Sequence, residues 1–290
     1  MLKTLGGRQL WGDLIFLQGY RLQHHVLTNR YRLLDPNDNR IENGSESHCL
    51  QKLERVQEEQ KLQPETGRVV LLIHGIGRSS KCFSALVRAL NAEGLRTIPF
   101  DYPSTRISIQ ESVSYLQSVL DHLPDVEHID VVCHSMGGLL LRSLLSTSCE
   151  SRFSRAVFLG VPHHGAEVAD YLKRNPLFKM VMGPAGQQLV TDPASGMNHM
   201  PIPEFEFATI AGGRGSSRGF NPLLPSDNDL TVTVESAQLE GASDSLRLPV
   251  IHSLLMSDKR CIAAMIRFLE TGHFSADQSK ISVEAKVQTS

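Results

Sequence analysis

Between residues 68 and 162, short apolar runs alternate with longer amphipathic ones, and this rhythm constrains the fold more than any other feature. "RVVLLIHG" (68–75) is a continuous apolar run ending in glycine, the pattern of a strand buried on both faces. "SSKCFSALVRALNAEG" (79–94) follows as a helix, opened by a serine N-cap and stopped at Gly94. The series continues as strand 95–103, helix 107–123 closed by Pro124, strand 128–135, helix 136–148 and strand 153–162. Strands that alternate with helices imply βαβ units, a parallel sheet and right-handed crossovers. The expected class is therefore α/β, a mostly parallel central sheet flanked by helices. The rhythm breaks at 163–204, an insertion containing Gly, Pro and Met. It resumes with a strand in "EFATIAGG", strand or loop segments in "LTVTVESA" and "LRLPVIHS", and a closing helix over 258–270.

Residues 1–66 precede the alternation. Leu10, Leu14 and Leu17, beside Trp11 and Ile15, have the spacing of a short amphipathic helix. Residues 35–47 read as a polar loop, and 49–62 as a second helix with Cys49, Leu53 and Val56 on one face. The expected organisation is an N-terminal helical and loop extension (1–66) packed on the core, a main domain (67–273) and a flexible polar tail (274–290). Packing is preferred over the alternative role for the extension, contact with a membrane surface through Lys3, Arg8 and Arg21.

A net charge of −2 without a basic stripe argues against a nucleic-acid partner. Five cysteines lack paired spacing and no CxxC occurs, which disfavours a disulfide framework or a zinc site and favours a reducing compartment. The first residues lack a continuous apolar core and a small-residue cleavage site, and no apolar stretch is long enough to span a bilayer. A cytoplasmic location is expected.

Within this frame, "VVCHSMGGLL" (131–140) places Ser135 where a buried strand passes into a helix. A serine on such a sharp turn can hold its hydroxyl clear of the sheet, provided the positions two before and two after are small. Gly137 satisfies this; Cys133 is larger than glycine or alanine. The helix start leaves the Met136 N–H unpaired and pointed at developing negative charge. A second donor is expected from the Ile76 N–H, in the Gly75–Gly77 turn after the strand "LLIHG". A bland reading of Ser135 is a plain helix cap; the flanking strand and helix favour a nucleophile.

A serine nucleophile needs a histidine base and a carboxylate to orient it. Of the later histidines, His163 and His164 form an adjacent pair, His199 sits in the insertion and His273 near the end. His252 precedes the last helix, where a catalytic loop falls, and is the expected base. "PSDNDLTVTV" offers two acids: Asp229, pinned by the apolar stretch after it, is favoured, and Asp227 is the alternative. Asp244 and Asp258 are less well placed. His163 and His164 lack surrounding carboxylates and thiols, so no metal is expected. Met180, Met182, Met197 and Met200 in the insertion suit a mobile cap over an acyl pocket.

Taken together, "HGIG", "HSMGG", "GVPHHG", "DNDLTVTVESA" and "PVIHS" resemble the α/β-hydrolase lipases and esterases, in that family's order and over residues 68–270. The resemblance is to bacterial triacylglycerol lipase-like and GPI-inositol-deacylase-like enzymes in particular. It implies Ser135 as nucleophile, Asp229 as acid, His252 as base, Ile76 and Met136 as oxyanion donors, and no cofactor. The implied activity is hydrolysis of small-molecule or lipid carboxylic esters through an acyl-serine. Acyl transfer or thioester cleavage by the same residues, and a non-catalytic binding module on the same fold, are the alternatives. Two features depart from the pattern: Cys133 stands at a position usually glycine or alanine, and residues 1–66 match no general motif.

Overall fold

The structure, a computed structural model, describes residues 8–165, 183–188 and 200–275. Its first surprise is the N-terminal extension, which is a β-sheet. Strands β1 (Trp11–Leu17), β2 (Tyr20–His25), β3 (Arg30–Leu34) and β4 (Arg40–Gly44) pair antiparallel in sequence order. The expected helix over Leu10–Leu17 is thus β1, and part of the expected polar loop is β4. The misreading has a physical cause. The register shifts between Asp13 and Ile15, so Leu14 is the extra residue of a bulge. That insertion breaks the strand period of two and produces a four-then-three leucine spacing that imitates a helix. Gln18 and Gly19 both take positive φ, the backbone that a tight two-residue hairpin turn demands.

The second expected helix forms as α1 (Glu46–Gln60), with the Ser45 side chain accepting from the His48 amide as its cap. Cys49, Leu53 and Val56 pack against Leu17, Leu22 and Leu33 of the sheet. Phe16, the neighbour of Leu17, points the other way and joins the core of the main domain. Alternation along β1 therefore binds the extension to both layers.

The main domain follows the expected alternation. Its strands are β5 (Gly67–Ile73), β6 (Arg96–Phe100), β7 (Val126–His134), β8 (Phe153–Leu159), β9 (Glu206–Gly212) and β10 (Asp244–Leu248). They form one parallel six-stranded sheet in the order β10-β9-β8-β7-β5-β6. Helices α2 (Ser84–Ala92), α3 (Ile109–Asp121), α4 (Met136–Leu145) and α5 (Lys259–Thr271) cover its faces. Successive residues of β5 serve opposite layers: Val69, Leu71 and Ile73 meet α3 and α4, whereas Val70 and Leu72 meet α2 and α5. All five are fully buried, each side chain contributing about 1.5–3 kcal/mol.

Local signals set the helix ends. Ser108 and Glu111 form a capping box at α3, and Asp258 caps α5, which ends at Gly272 with φ 79°. The expected helix over 79–94 begins instead as a 3-10 turn (Ser80–Phe83), and Ser79 makes no capping bond. The run "LTVTV" is no strand; a single bridge joins Asn228 and Thr233. At the other end Phe274 is buried, its amide bonded to Asp244 Oδ2 at 2.7 Å, so the chain stays anchored through 274. Most of the expected cap, with Met180, Met182, Met197 and His199, lies outside the described residues, as does the tail from 276. Among the described residues no helix is long and apolar enough to cross a membrane.

Candidate active site

From β5 the chain crosses outward to β6, then returns to place β7 on the other side of β5. The strand order reverses there, and the crevice at the carboxyl ends of β5 and β7 is where open parallel sheets bind ligands. Ser135 follows β7 directly and the 74–78 turn follows β5.

Ser135 sits at φ 53°, ψ −129°, a conformation that costs a side-chain-bearing residue about 1–3 kcal/mol. Its amide is held by the Leu159 carbonyl at 2.9 Å. Clearance comes from glycine at two points. A Cβ on Gly137 would lie 2.3 Å from the Ile73 carbonyl oxygen, and one on Gly75 would lie 2.8 Å from the Ser135 Cβ. Those contacts are the tight ones at the turn. Cys133, flanked in the sheet by Ile73 and Phe158, is simply buried in the core, and burial pushes its thiol far above the ordinary range. It is inert packing.

Met136 opens α4, so its N–H has no partner within the helix. In the β5 turn, the Gly77 amide donates to Ser104 Oγ (3.1 Å) and the Arg78 amide to the Gly75 carbonyl (3.2 Å). The Ile76 amide, by contrast, meets no acceptor among the described residues.

Asp229 and His252 come together. His252 Nδ1 lies 2.7 Å from Asp229 Oδ2, and the His252 amide donates to the Asp229 carbonyl at 2.8 Å. Asp229 is fully buried, and its Oδ1 accepts from the amides of Thr231 (3.0 Å) and Val232 (2.8 Å). Backbone amides of the stretch after Asp229 thus hold its carboxylate in place. An aspartate that accepts at Oδ2 places the proton on Nδ1 and leaves Nε2 as the basic nitrogen. Asp227 points elsewhere. It accepts from the amides of Arg214 and Gly215 (both 2.8 Å) and faces Arg247 at 3.2 Å, closing the loop after β9.

His134, beside the serine, is a site residue that sequence reasoning passed over. Its ring lies 4.6 Å from that of His252, and its Nε2 is 3.1 Å from the His252 carbonyl. Since a carbonyl only accepts, His134 carries its proton on Nε2. Burial, then the nearby His252, holds its pKa well below the ordinary value. It is a neutral donor that props the His252 backbone beside Ser135. Gly160 completes the fit: a Cβ there would lie 3.0 Å from His252 Nδ1 and 3.1 Å from Asp229 Oδ2.

The remaining candidates lie apart. Asp244 anchors Phe274 and Asp258 caps α5. His163 is buried against Phe158, with Arg142 Nη1 3.3 Å from its Nδ1, and burial keeps it neutral. Among the described residues no group of three or more His, Cys, Asp or Glu gathers as metal ligands would.

A parallel sheet with a strained serine turn at its reversal point, followed in order by an aspartate and a histidine, is the α/β-hydrolase fold of lipases and esterases. Solved structures agree. The Bacillus licheniformis lipase BlEst2 in mature form matches with a TM-score of 0.57 at 19% identity, over 72% of this chain and 93% of that one. The metagenomic carboxyl esterase MGS0156 matches at 0.52 and 16%, over 67% of each chain. The lin2722 product of Listeria innocua matches at 0.50 and 16%, over 71% and 94%. By its sequence, the chain belongs to the family described as "Domain of unknown function (DUF7379)", whose model matches residues 39–201. That match begins inside the N-terminal sheet.

Proposed function

We propose that the protein is a serine hydrolase of carboxylic esters. The single observation that carries this reading is the pair formed by buried Asp229 and part-buried His252 at 2.7 Å, set beside the strained turn of Ser135 at the start of α4. Ser135 Oγ attacks the acyl carbon while His252 Nε2 takes its proton. The carbonyl oxygen becomes an oxyanion and accepts from the Met136 and Ile76 amides. His252 returns the proton to the leaving alcohol oxygen, and the acyl-serine forms. Water, deprotonated by His252, then attacks the acyl carbon, and Ser135 leaves with that proton. Asp229 keeps the imidazole in the tautomer that can accept at Nε2 and stabilises it once charged.

The fold likeness to a lipase and a carboxyl esterase supports an ester as the substrate class. A panel of p-nitrophenyl esters of rising chain length, with and without a detergent interface, tests this. The expected result is turnover that falls in Ser135→Ala by about 10⁴-fold or more. Hydrolysis that persists in that variant overturns the reading. A preference for long chains that strengthens at the interface makes the substrate a lipid ester.

A further inference from the structure

The N-terminal sheet does more than cover the core. Gln9, in the turn that leads into β1, spans the loop after β5 and the segment after β6 with the two ends of its amide. Its Oε1 accepts from Ser104 Oγ at 2.7 Å, and its Nε2 donates to the Arg78 carbonyl at 2.5 Å. Ser104 in turn accepts from the Gly77 amide at 3.1 Å. One side chain therefore brackets the Gly75–Arg78 turn, fixing the peptides on the far side of Ile76 from the sheet.

The bracket is mounted rigidly. The Asp13 amide donates to the Asp101 carbonyl (2.8 Å), and the Asp101 amide to Asp13 Oδ2 (2.7 Å). Ser118 Oγ bonds the carbonyl of Leu14, the bulged residue, at 3.0 Å. The same Asp101 carboxylate accepts from the Ser80 amide (2.6 Å) and hydroxyl (2.9 Å), just beyond the turn. Tyr102, next to it, donates its hydroxyl to the His74 carbonyl at 2.7 Å. The turn is gripped at both ends by the segment after β6, and β1 grips that segment.

We propose that Gln9 is a positioning residue for the oxyanion turn, so that the N-terminal sheet is a working part of the catalytic unit. This inference rests on the serine-hydrolase reading above. Gln9 touches no reacting atom; it acts by holding the Ile76 amide where the oxyanion forms. Small displacements of such groups are costly in rate, whereas substrate binding in the ground state depends on them little.

The test uses the full chain and a fluorophosphonate probe. Ser135 Oγ attacks phosphorus, the P–F bond breaks, fluoride leaves, His252 takes the serine proton, and the phosphoryl oxygen occupies the oxyanion site. Gln9→Met keeps the shape and removes both bonds. Gln60→Met is the control, since it removes a similar bond in the same region, from Tyr20 at 2.8 Å, away from the turn. Expected for Gln9→Met is labelling about tenfold slower, with ester kcat reduced alike and KM within about twofold. Ser104→Ala slows labelling too, and the double variant loses little more than the worse single one. Labelling of Gln9→Met at the wild-type rate, or slowed no more than in Gln60→Met, overturns the proposal. Equal labelling of Ser135→Ala and wild type would instead overturn the serine reading itself.

Discussion

The two sheets are held to the molecule by different balances of apolar and polar contact. Strand β5 is buried by an unbroken aliphatic run from Val69 to Ile73, and β7 adds Val126, Ile129, Val131 and Val132 beside the buried Asp130 that pairs with Arg68. The N-terminal sheet adds to the apolar contact of Phe16 a dock built from polar groups. Asp13, Arg21, Gln23 and Arg32 are all buried there. Gln23 Nε2 donates to Asp13 Oδ1 at 2.6 Å, Arg32 Nε to Gln23 Oε1 at 2.8 Å, and Arg21 pairs with Asp101 at 2.6 Å and with Asp38. Apolar burial is forgiving of direction, whereas a buried ionic network requires every partner in place. The parallel sheet thus supplies bulk stability and the strand ends on which the site is built. The polar dock supplies a fixed position relative to that site.

If this division holds, the largest losses of activity belong to groups on the strand ends. Asp229→Asn lowers kcat by about 10⁴-fold, because the imidazole loses its tautomer, while Asp227→Asn costs under about tenfold in the same ester assay. A greater loss at Asp227 would reverse the assignment of the acid. For stability the contrast can be put to a direct trial by denaturant unfolding. Phe158→Ala, in the parallel core, costs about 3–5 kcal/mol through its cavity. Arg21→Met costs a similar amount, about 3–5 kcal/mol, for another reason: it strands buried carboxylates. An Arg21→Met variant as stable as wild type would refute the ionic account of the dock.

Acidity sharpens the comparison further. Burial raises the Asp13 pKa to about 7, with Arg21 opposing and Asp101 adding to the rise. Burial also pushes Asp101 up, but Arg21, His74 and the Ser80 donors outweigh it and hold that group below its usual value. The folded chain therefore keeps a proton on Asp13 that the unfolded chain releases near pH 4. Stability should fall as pH rises from about 4 to about 7, by up to about 1.4 kcal/mol per pH unit. Asp13→Asn should flatten that slope in a series of urea melts, and an unchanged slope would exclude Asp13 as its source. Asp101 acts in the opposite sense, its contribution being lost only as pH falls below the ordinary carboxylate range. The smallest effect is expected at Cys133→Ala, a loss of about 1–2 kcal/mol from lost packing with kcat within about twofold; a severe fall in kcat would give the thiol a role.

The same contrast explains what could be read from the sequence. Runs such as "RVVLLIHG" and "VVCHSMGGLL" announce themselves because a strand buried on both faces must be apolar throughout. Glycine at 137, demanded by the Ile73 carbonyl, marked the serine turn in advance. That Asp229 and His252 would meet was an expectation from chain order and, for Asp229, from the apolar stretch after it, and the two side chains do pair. The N-terminal sheet was hidden by its bulge at Leu14 and by polar residues buried where a strand face normally carries apolar ones. No local pattern links Gln9 to Ser104, which lies 95 positions away, and only the fold brings them together. His134 stood in plain view within the motif, but its role needed the distance to the His252 carbonyl.

The claim that most of this rests on is that Ser135 is the nucleophile. The intact mass of the wild-type protein after exposure to a fluorophosphonate, with peptide mapping of the adduct, tests it most directly. The account predicts a single phosphonyl adduct on the peptide bearing Ser135, absent from Ser135→Ala and strongly slowed in His252→Ala. An unlabelled wild type, or an adduct that survives in Ser135→Ala, would contradict it.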